Sequence, residues 1–126
     1  MLECKPIQDK RDQAALCDAC GVRFREECFA YGATEDGKQI GICQFTIKGE
    51  YGHIFELACV KGTNDSEALF IMGRGVMNFI DIAGAHEAFW EGDDSPLVRA
   101  LGFADRDGKL YIDLGKFFEN PCKSKK

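Results

Sequence analysis

Proline, histidine and long apolar runs are scarce in this 126-residue sequence, which has three prolines and two histidines. No apolar run approaches the roughly 18 residues of a membrane span. The opening MLECKPIQDKRDQ lacks the apolar stretch of a signal peptide, so a cytoplasmic location is the expectation. Positive charge is also in deficit: 16 Lys and Arg face 21 Asp and Glu, a net charge of −5. That balance argues against nucleic acid as a partner and mildly favours cationic ones such as amines or basic peptides. The one basic cluster is the end KSKK, Lys123 to Lys126, expected to be solvated.

Cysteine is plentiful, with seven residues. Their odd number and their scatter through apolar runs argue against a disulfide framework, and reduced thiols behave as small hydrophobes. The pair in CDAC, Cys17 and Cys20, invites a zinc reading. A structural zinc site generally needs four ligands, and no second Cys/His pair stands at suitable spacing, so no metal is expected. On a helix both thiols share an inward face with Ala14. His53 and His86 each stand at the start of a strand-like run, as edge or packing residues. A Cys-His nucleophilic pair with Cys59 or Cys43 has no supporting local context.

Hydrophobic residues make up 45% and charged residues 29%, the proportions of a globular chain, and the length suits one domain, 1–126, with a tail over 115–126. LECKPI reads as a short strand ending at Pro6. QDKRDQAALCDAC reads as an amphipathic helix with Gly21 as its C-cap. Strands are expected over 28–34 and 39–47, joined by a hairpin at Asp36-Gly37, and over 52–60. The steps between Leu69, Met72, Val76, Phe79, Ile80 and Ala83 define a helix face. HEAFWE (86–91) is a further strand. Ser95-Pro96 is an N-cap followed by proline at the first helical position, and a last hairpin turns at Asp107-Gly108 before Phe117 and Phe118 pack. The order β-α-β-β-β-α-β-α-β-β implies an α/β (α+β) fold: a mixed, largely antiparallel twisted sheet with helices on both faces. Strands 52–60 and 86–91, joined by the central helix, should run parallel.

FIMGRGVMN sets two glycines inside the central helical pattern, where each costs roughly 1 kcal/mol relative to alanine. Either the helix begins near Met72 and the glycines fall in its first turn, or it begins at Asn64 or Asp65, with Glu67 echoing a capping box. The later start is the expectation.

The element order, with GICQF, IFELACV, the glycine-bearing helix and LVRALGF, resembles the GNAT N-acetyltransferase superfamily over nearly the whole chain. The resemblance implies a protein that moves an acetyl or other acyl group from acyl-CoA to an amine of a small molecule or peptide, with acetyl-CoA or coenzyme A as cosubstrate. The alternative is a catalytically inactive GNAT-like domain that binds a ligand or protein. The family's phosphate cradle, Q/R-x-x-G-x-G/A at the start of the central helix, aligns with Gly73, Arg74 and Gly75, with Phe70 replacing the polar first residue. Free N–H groups and the positive dipole end would hold a diphosphate there. The resemblance also implies that main-chain amides of Ala58, Cys59 and Val60 meet the thioester arm. Glu56 is the candidate base: strand alternation sets it on the face of Ile54, Ala58 and Val60, where burial raises a carboxylate's pKa. The family's general acid, a tyrosine, falls at Val98, and Glu91 stands where an asparagine is common. Tyr111 is a substitute acid only if the last hairpin covers the cleft.

Overall fold

A computed structural model describes residues 1–123, with side chains through Phe118. The side chains of the basic end, expected to be solvated, and the Cys122 thiol lie outside the described residues. The elements are β1 (Leu2–Ile7), α1 (Lys10–Cys20), β2 (Phe29–Glu35), β3 (Lys38–Lys48), β4 (Tyr51–Cys59), α2 (Ser66–Ile82), β5 (Glu87–Trp90), α3 (Pro96–Leu101), β6 (Ala104–Arg106), β7 (Lys109–Asp113) and α4 (Leu114–Lys123). All seven strands join one sheet in the order β1-β2-β3-β4-β5-β7-β6. Among the described residues only the β4–β5 pair is parallel, as the crossover through α2 requires. No helix among the described residues is long and apolar enough to cross a membrane.

Local chemistry sets the turns where the sequence placed them. Asp36-Gly37 and Asp107-Gly108 adopt positive φ at both positions (54° and 85°; 52° and 81°), the geometry that two-residue hairpins favour. Asp9 caps α1 and Gly21 closes it at φ 72°. Ser95 caps α3 ahead of Pro96. Pro6 lies inside β1 rather than ending it, which an edge strand tolerates.

Two apolar clusters flank the sheet. One unites Phe45 and Ile54 with Met72, Val76, Met77 and Ile80 of α2, and with Leu101 of α3. The other unites Leu16, Cys17 and Cys20 of α1 with Ala30, Ile42, Ala58 and Val60. The buried stripe of α1 is Gln13, Leu16, Cys17 and Cys20; Ala14, expected among them, is only partly buried.

Three expectations are corrected. First, α2 begins at Ser66, not Met72: the Asp65 carboxylate accepts the Ala68 N–H at 3.0 Å. The apolar stripe already starts at Ala68, which is buried with Met72 and Val76, so packing draws the first turns into the helix despite the glycines downstream. Second, Ile54 and Glu56 lie on opposite faces. The β3–β4 register passes from Gln44↔Glu56 to Phe45↔Ile54, leaving Phe55 as an extra bulged residue. A bulge resets strand alternation, so Ile54 packs toward α2 and Glu56 toward α1. Third, the tail from Leu114 is helical, with Asp113 accepting the Lys116 N–H at its start.

Helix α2 lies so close to β4 that a Cβ on Gly52 would stand 2.6 Å from Ile80. Gly52→Ala is expected to destabilise the fold by about 1–3 kcal/mol through overpacking. Urea unfolding should show a lower midpoint with an unchanged slope.

Candidate functional site

Strands β4 and β5 pair for four residues and then part. The last register pair is Ile54↔Trp90, followed by one hydrogen bond from the Glu91 N–H to the Ile54 carbonyl. Beyond that point β4 runs on to Cys59 with β3 along one edge, and among the described residues no strand pairs with the other. The Val60 N–H is already bonded to the Ile40 carbonyl at 2.9 Å. Successive backbone groups of a strand point to alternate edges, so the Ala58 amide also turns toward β3. The amides of Leu57 and Cys59 turn toward the open edge. Of the amides of Ala58, Cys59 and Val60, expected from the sequence to meet a thioester arm, only Cys59's turns to the open edge, as Leu57's does.

The bulge at Phe55 aims Glu56 into a polar column beneath the loop that follows α1. Gln44, fully buried, uses all of its hydrogen-bonding capacity there. Its amide group donates to the Arg23 carbonyl at 2.8 Å and to Glu56 Oε2 at 2.7 Å. Its oxygen accepts from Gln13 Nε2 at 2.9 Å and from the Arg25 N–H at 3.0 Å. Lys10 donates to Gln13 Oε1 and to the Cys28 carbonyl. Arg25 completes the column, its Nε 3.6 Å from Glu56 Oε1 and its guanidinium 4.5 Å from the centre of the Phe55 ring. The Glu56 side chain keeps 16% of its surface exposed, so it is reachable and largely desolvated.

Burial raises the Glu56 pKa above its ordinary value of 4.5. The Gln44 hydrogen bond and the Arg25 charge pull it down by less. The carboxylate is therefore a better proton acceptor than a solvated one. Nearby thiols respond in the same sense: burial pushes Cys17, Cys20 and Cys28 up to about 11, and fully buried Cys43 well above its ordinary value. These cysteines are the small hydrophobes the sequence suggested. No metal-holding group of His, Cys, Asp or Glu occurs among the described residues.

Past Glu56, the α1-side face of the sheet continues across β5 and β7. His53 stacks on Phe89 at 5.7 Å and its Nδ1 lies 2.6 Å from Glu91 Oε2. Phe89 meets Tyr51 and Tyr111, each at 5.5 Å. Tyr111 donates to Glu87 Oε1 at 2.7 Å, and Val98, where the general acid was sought, is buried in α3. His86 lies elsewhere, its Nδ1 2.5 Å from Asp81.

Gly73, Arg74 and Gly75 sit about two turns inside α2, where backbone N–H groups bond to the preceding turn. A Cβ on Gly73 would stand 2.9 Å from Leu101 and 3.1 Å from Leu57, so this glycine serves helix–sheet–helix contact. The Arg74 guanidinium is held between the rings of Phe70 and Phe117, 4.7 Å from each. Sequence reading missed Arg25, Gln44, Gln13 and Leu57. A lone glutamine in the apolar GICQF was the available signal for Gln44.

A seven-stranded mixed sheet whose parallel pair parts beside a bulged central strand is the GNAT acetyltransferase fold. Solved structures carry that likeness. A GNAT family acetyltransferase from Brucella melitensis in complex with acetyl-CoA superposes with a TM-score of 0.72 at 14% identity, covering 91% of this chain and 89% of its own. An IAA acetyltransferase from Bacillus cereus gives 0.70 at 14% identity, covering 90% and 100%. The PaiA N-acetyltransferase from Thermoplasma acidophilum, in complex with coenzyme A, gives 0.63 at 10% identity, covering 88% and 96%. No protein-family model matches the sequence, and no curated protein matches it either.

The raised Glu56 pKa fixes the sign of a pH effect. Between its ordinary and folded values the native state holds a proton that the unfolded chain has lost, so stability falls as pH rises through that window. Glu56→Gln copies the protonated form. Relative to wild type, the variant should gain stability as pH climbs above 4.5, the ordinary value of the carboxyl, read from urea unfolding across a pH series. A pH-independent difference would show that desolvation does not dominate at Glu56.

Proposed function

We propose that this protein is an N-acyltransferase that moves an acyl group from a thioester to a primary amine, with Glu56 as the base. The observation that carries this reading is Glu56 itself: a desolvated, reachable carboxylate, fixed by Gln44 and Arg25, beside the open edge of β4. Glu56 removes the proton that the amine must lose as its nitrogen bonds to the acyl carbon. The Leu57 and Cys59 amides face the carbonyl oxygen and its developing negative charge, the arrangement that lowers such barriers most. The carbon–sulfur bond then breaks, and the departing thiolate takes its proton from solvent, since Val98 cannot supply one and Tyr111 is engaged by Glu87. The acidic surface favours an acceptor that arrives as a cation. The neutral arm of acyl-CoA suits the strand edge. The amides of Gly73 to Gly75 do not suit its diphosphate, because they lie within the helix.

A second reading, a GNAT-like domain that binds a ligand or protein without catalysis, is favoured by one observation. The start of α2, where a diphosphate would gain most from the helix dipole, carries Asp65 and Glu67.

The test is thioester consumption by the purified protein with a panel of primary amines, offering both acetyl-CoA and acetyl-pantetheine. Glu56→Gln is expected to lower kcat by about 10²–10⁴-fold while donor affinity stays within about twofold. A variant as active as wild type removes Glu56 from the base role. No turnover with either donor over the whole panel favours the non-catalytic reading.

A further inference from the structure

Acyl transfer to an amine that arrives as a cation takes two protons from one nitrogen. The first must leave before the lone pair exists, and near neutrality only about one alkylamine in 10³ is already free of it. The second leaves as nitrogen bonds to the acyl carbon, and Glu56 accounts for that one. The departing thiolate takes one proton back, so each turnover releases one proton overall. The first deprotonation needs an acceptor of its own.

His53 stands where such an acceptor is needed. It pairs across β3 with Thr46, two residues from Gln44, the partner of Glu56. The bulge at Phe55 thus sets His53 and Glu56 on one face, roughly 7 Å apart along the strand. A nitrogen within hydrogen-bonding distance of both side chains fits that gap. The imidazole is oriented: its Nδ1 lies 2.6 Å from Glu91 Oε2, and its ring stacks on Phe89. An ionised carboxylate only accepts, so in the neutral ring Nδ1 carries the hydrogen and Nε2 keeps its lone pair. Among the described residues Nε2 has no partner. The side chain is 26% exposed, which gives the proton a route to solvent. Glu91 follows the last β4–β5 pair and is tied by its N–H to the Ile54 carbonyl, so this histidine–carboxylate dyad marks the point where the strands part.

Other charged groups on this face are engaged elsewhere. Arg25 is paired with Glu56 and Arg106 with Glu87, and Lys109 lies 5.5 Å from the centre of the Phe89 ring. Tyr111 is bonded to Glu87, and Tyr51 packs on Phe89. Among the described residues none of these is bonded to His53 or Glu91.

We infer that His53 is a second catalytic base: its Nε2 takes the first proton from the acceptor's ammonium group and passes it to solvent, and Glu56 takes the second as the carbon–nitrogen bond forms. Glu91 is a positioning residue that fixes the ring and offsets the charge of the imidazolium. This rests on the transferase reading and adds the proton acceptor that a cationic substrate requires.

The test compares His53→Gln with wild type, using acetyl-CoA and two acceptors. One is the primary alkylamine turned over fastest, an ammonium near neutrality; the other is methoxyamine, which is neutral there. The variant should lose about 10²-fold in kcat/KM with the alkylamine and stay within about threefold with methoxyamine. As pH rises, wild type should level off once His53 is neutral, while the variant keeps climbing about tenfold per unit because only free amine reacts. Glu91→Gln, which leaves the imidazole in place, should show the same split between acceptors with a smaller loss. Glu56→Gln should be slow with both. A His53→Gln profile that runs parallel to wild type with the alkylamine, or equal losses with both acceptors, would overturn the role of His53 and leave the transferase reading standing. Absence of wild-type turnover with every amine would overturn both.

Discussion

Gln44 is the residue on which the site's architecture turns. An amide side chain buried in a sheet costs free energy unless each of its donors and acceptors is used, and here all four interactions are made. Those bonds tie together α1 through Gln13, the following loop through Arg23 and Arg25, and β4 through Glu56. A loop that would otherwise float over the sheet is held by main-chain contacts to one side chain. Arg25 is thereby delivered to Glu56, and the carboxylate is fixed in orientation. Fold and site are joined at this point, because a hydrophobic residue in place of Gln44 would leave several buried polar groups without partners.

The second constraint is the extra residue at Phe55. Without it, Glu56 would share Ile54's face and lie in the apolar layer under α2. With it, β4 keeps Ile54 in that layer and turns Glu56 toward α1, while the strand bends away from β5. One inserted residue therefore separates core from site and opens the edge that the proposed donor uses. Helix α2 trades in the other direction. By starting at Ser66 it buries Ala68 and Met72, gaining apolar contact, and it moves its dipole end away from the glycine pair.

Much of the architecture was legible because it rests on local rules. The hairpins at Asp36-Gly37 and Asp107-Gly108, the caps at Gly21 and Ser95, and the parallel crossover all follow from residue type and order. The helical stripe from Leu69 through Met72 and Val76 to Ile80 was legible too, but glycine propensity was given more weight than periodicity, and tertiary packing overrode it. Glu56 was singled out from its place in an apolar strand; the face it was expected to share with Ala58 and Val60 holds, but Ile54 lies on the other, because alternation cannot reveal a bulge, which depends on pairing with β3. Gln13, Gln44 and Arg25 come from three separate segments and meet only through the fold. Main-chain donors such as the Leu57 amide have no sequence signature at all.

The cysteines close a question about chemical self-interference. On the proposed transferase reading, the protein's own sulfur atoms would compete for the acyl group, since thiol exchange is quick whenever a thiolate is free. Cys17, Cys28 and Cys43 are near enough to Glu56 to feel its charge, yet burial and that same negative charge keep them in the sulfhydryl form, a feeble nucleophile. The carboxylate that would activate an incoming amine thus also quiets the sulfur around it, leaving an arriving nitrogen with little competition from these neighbours.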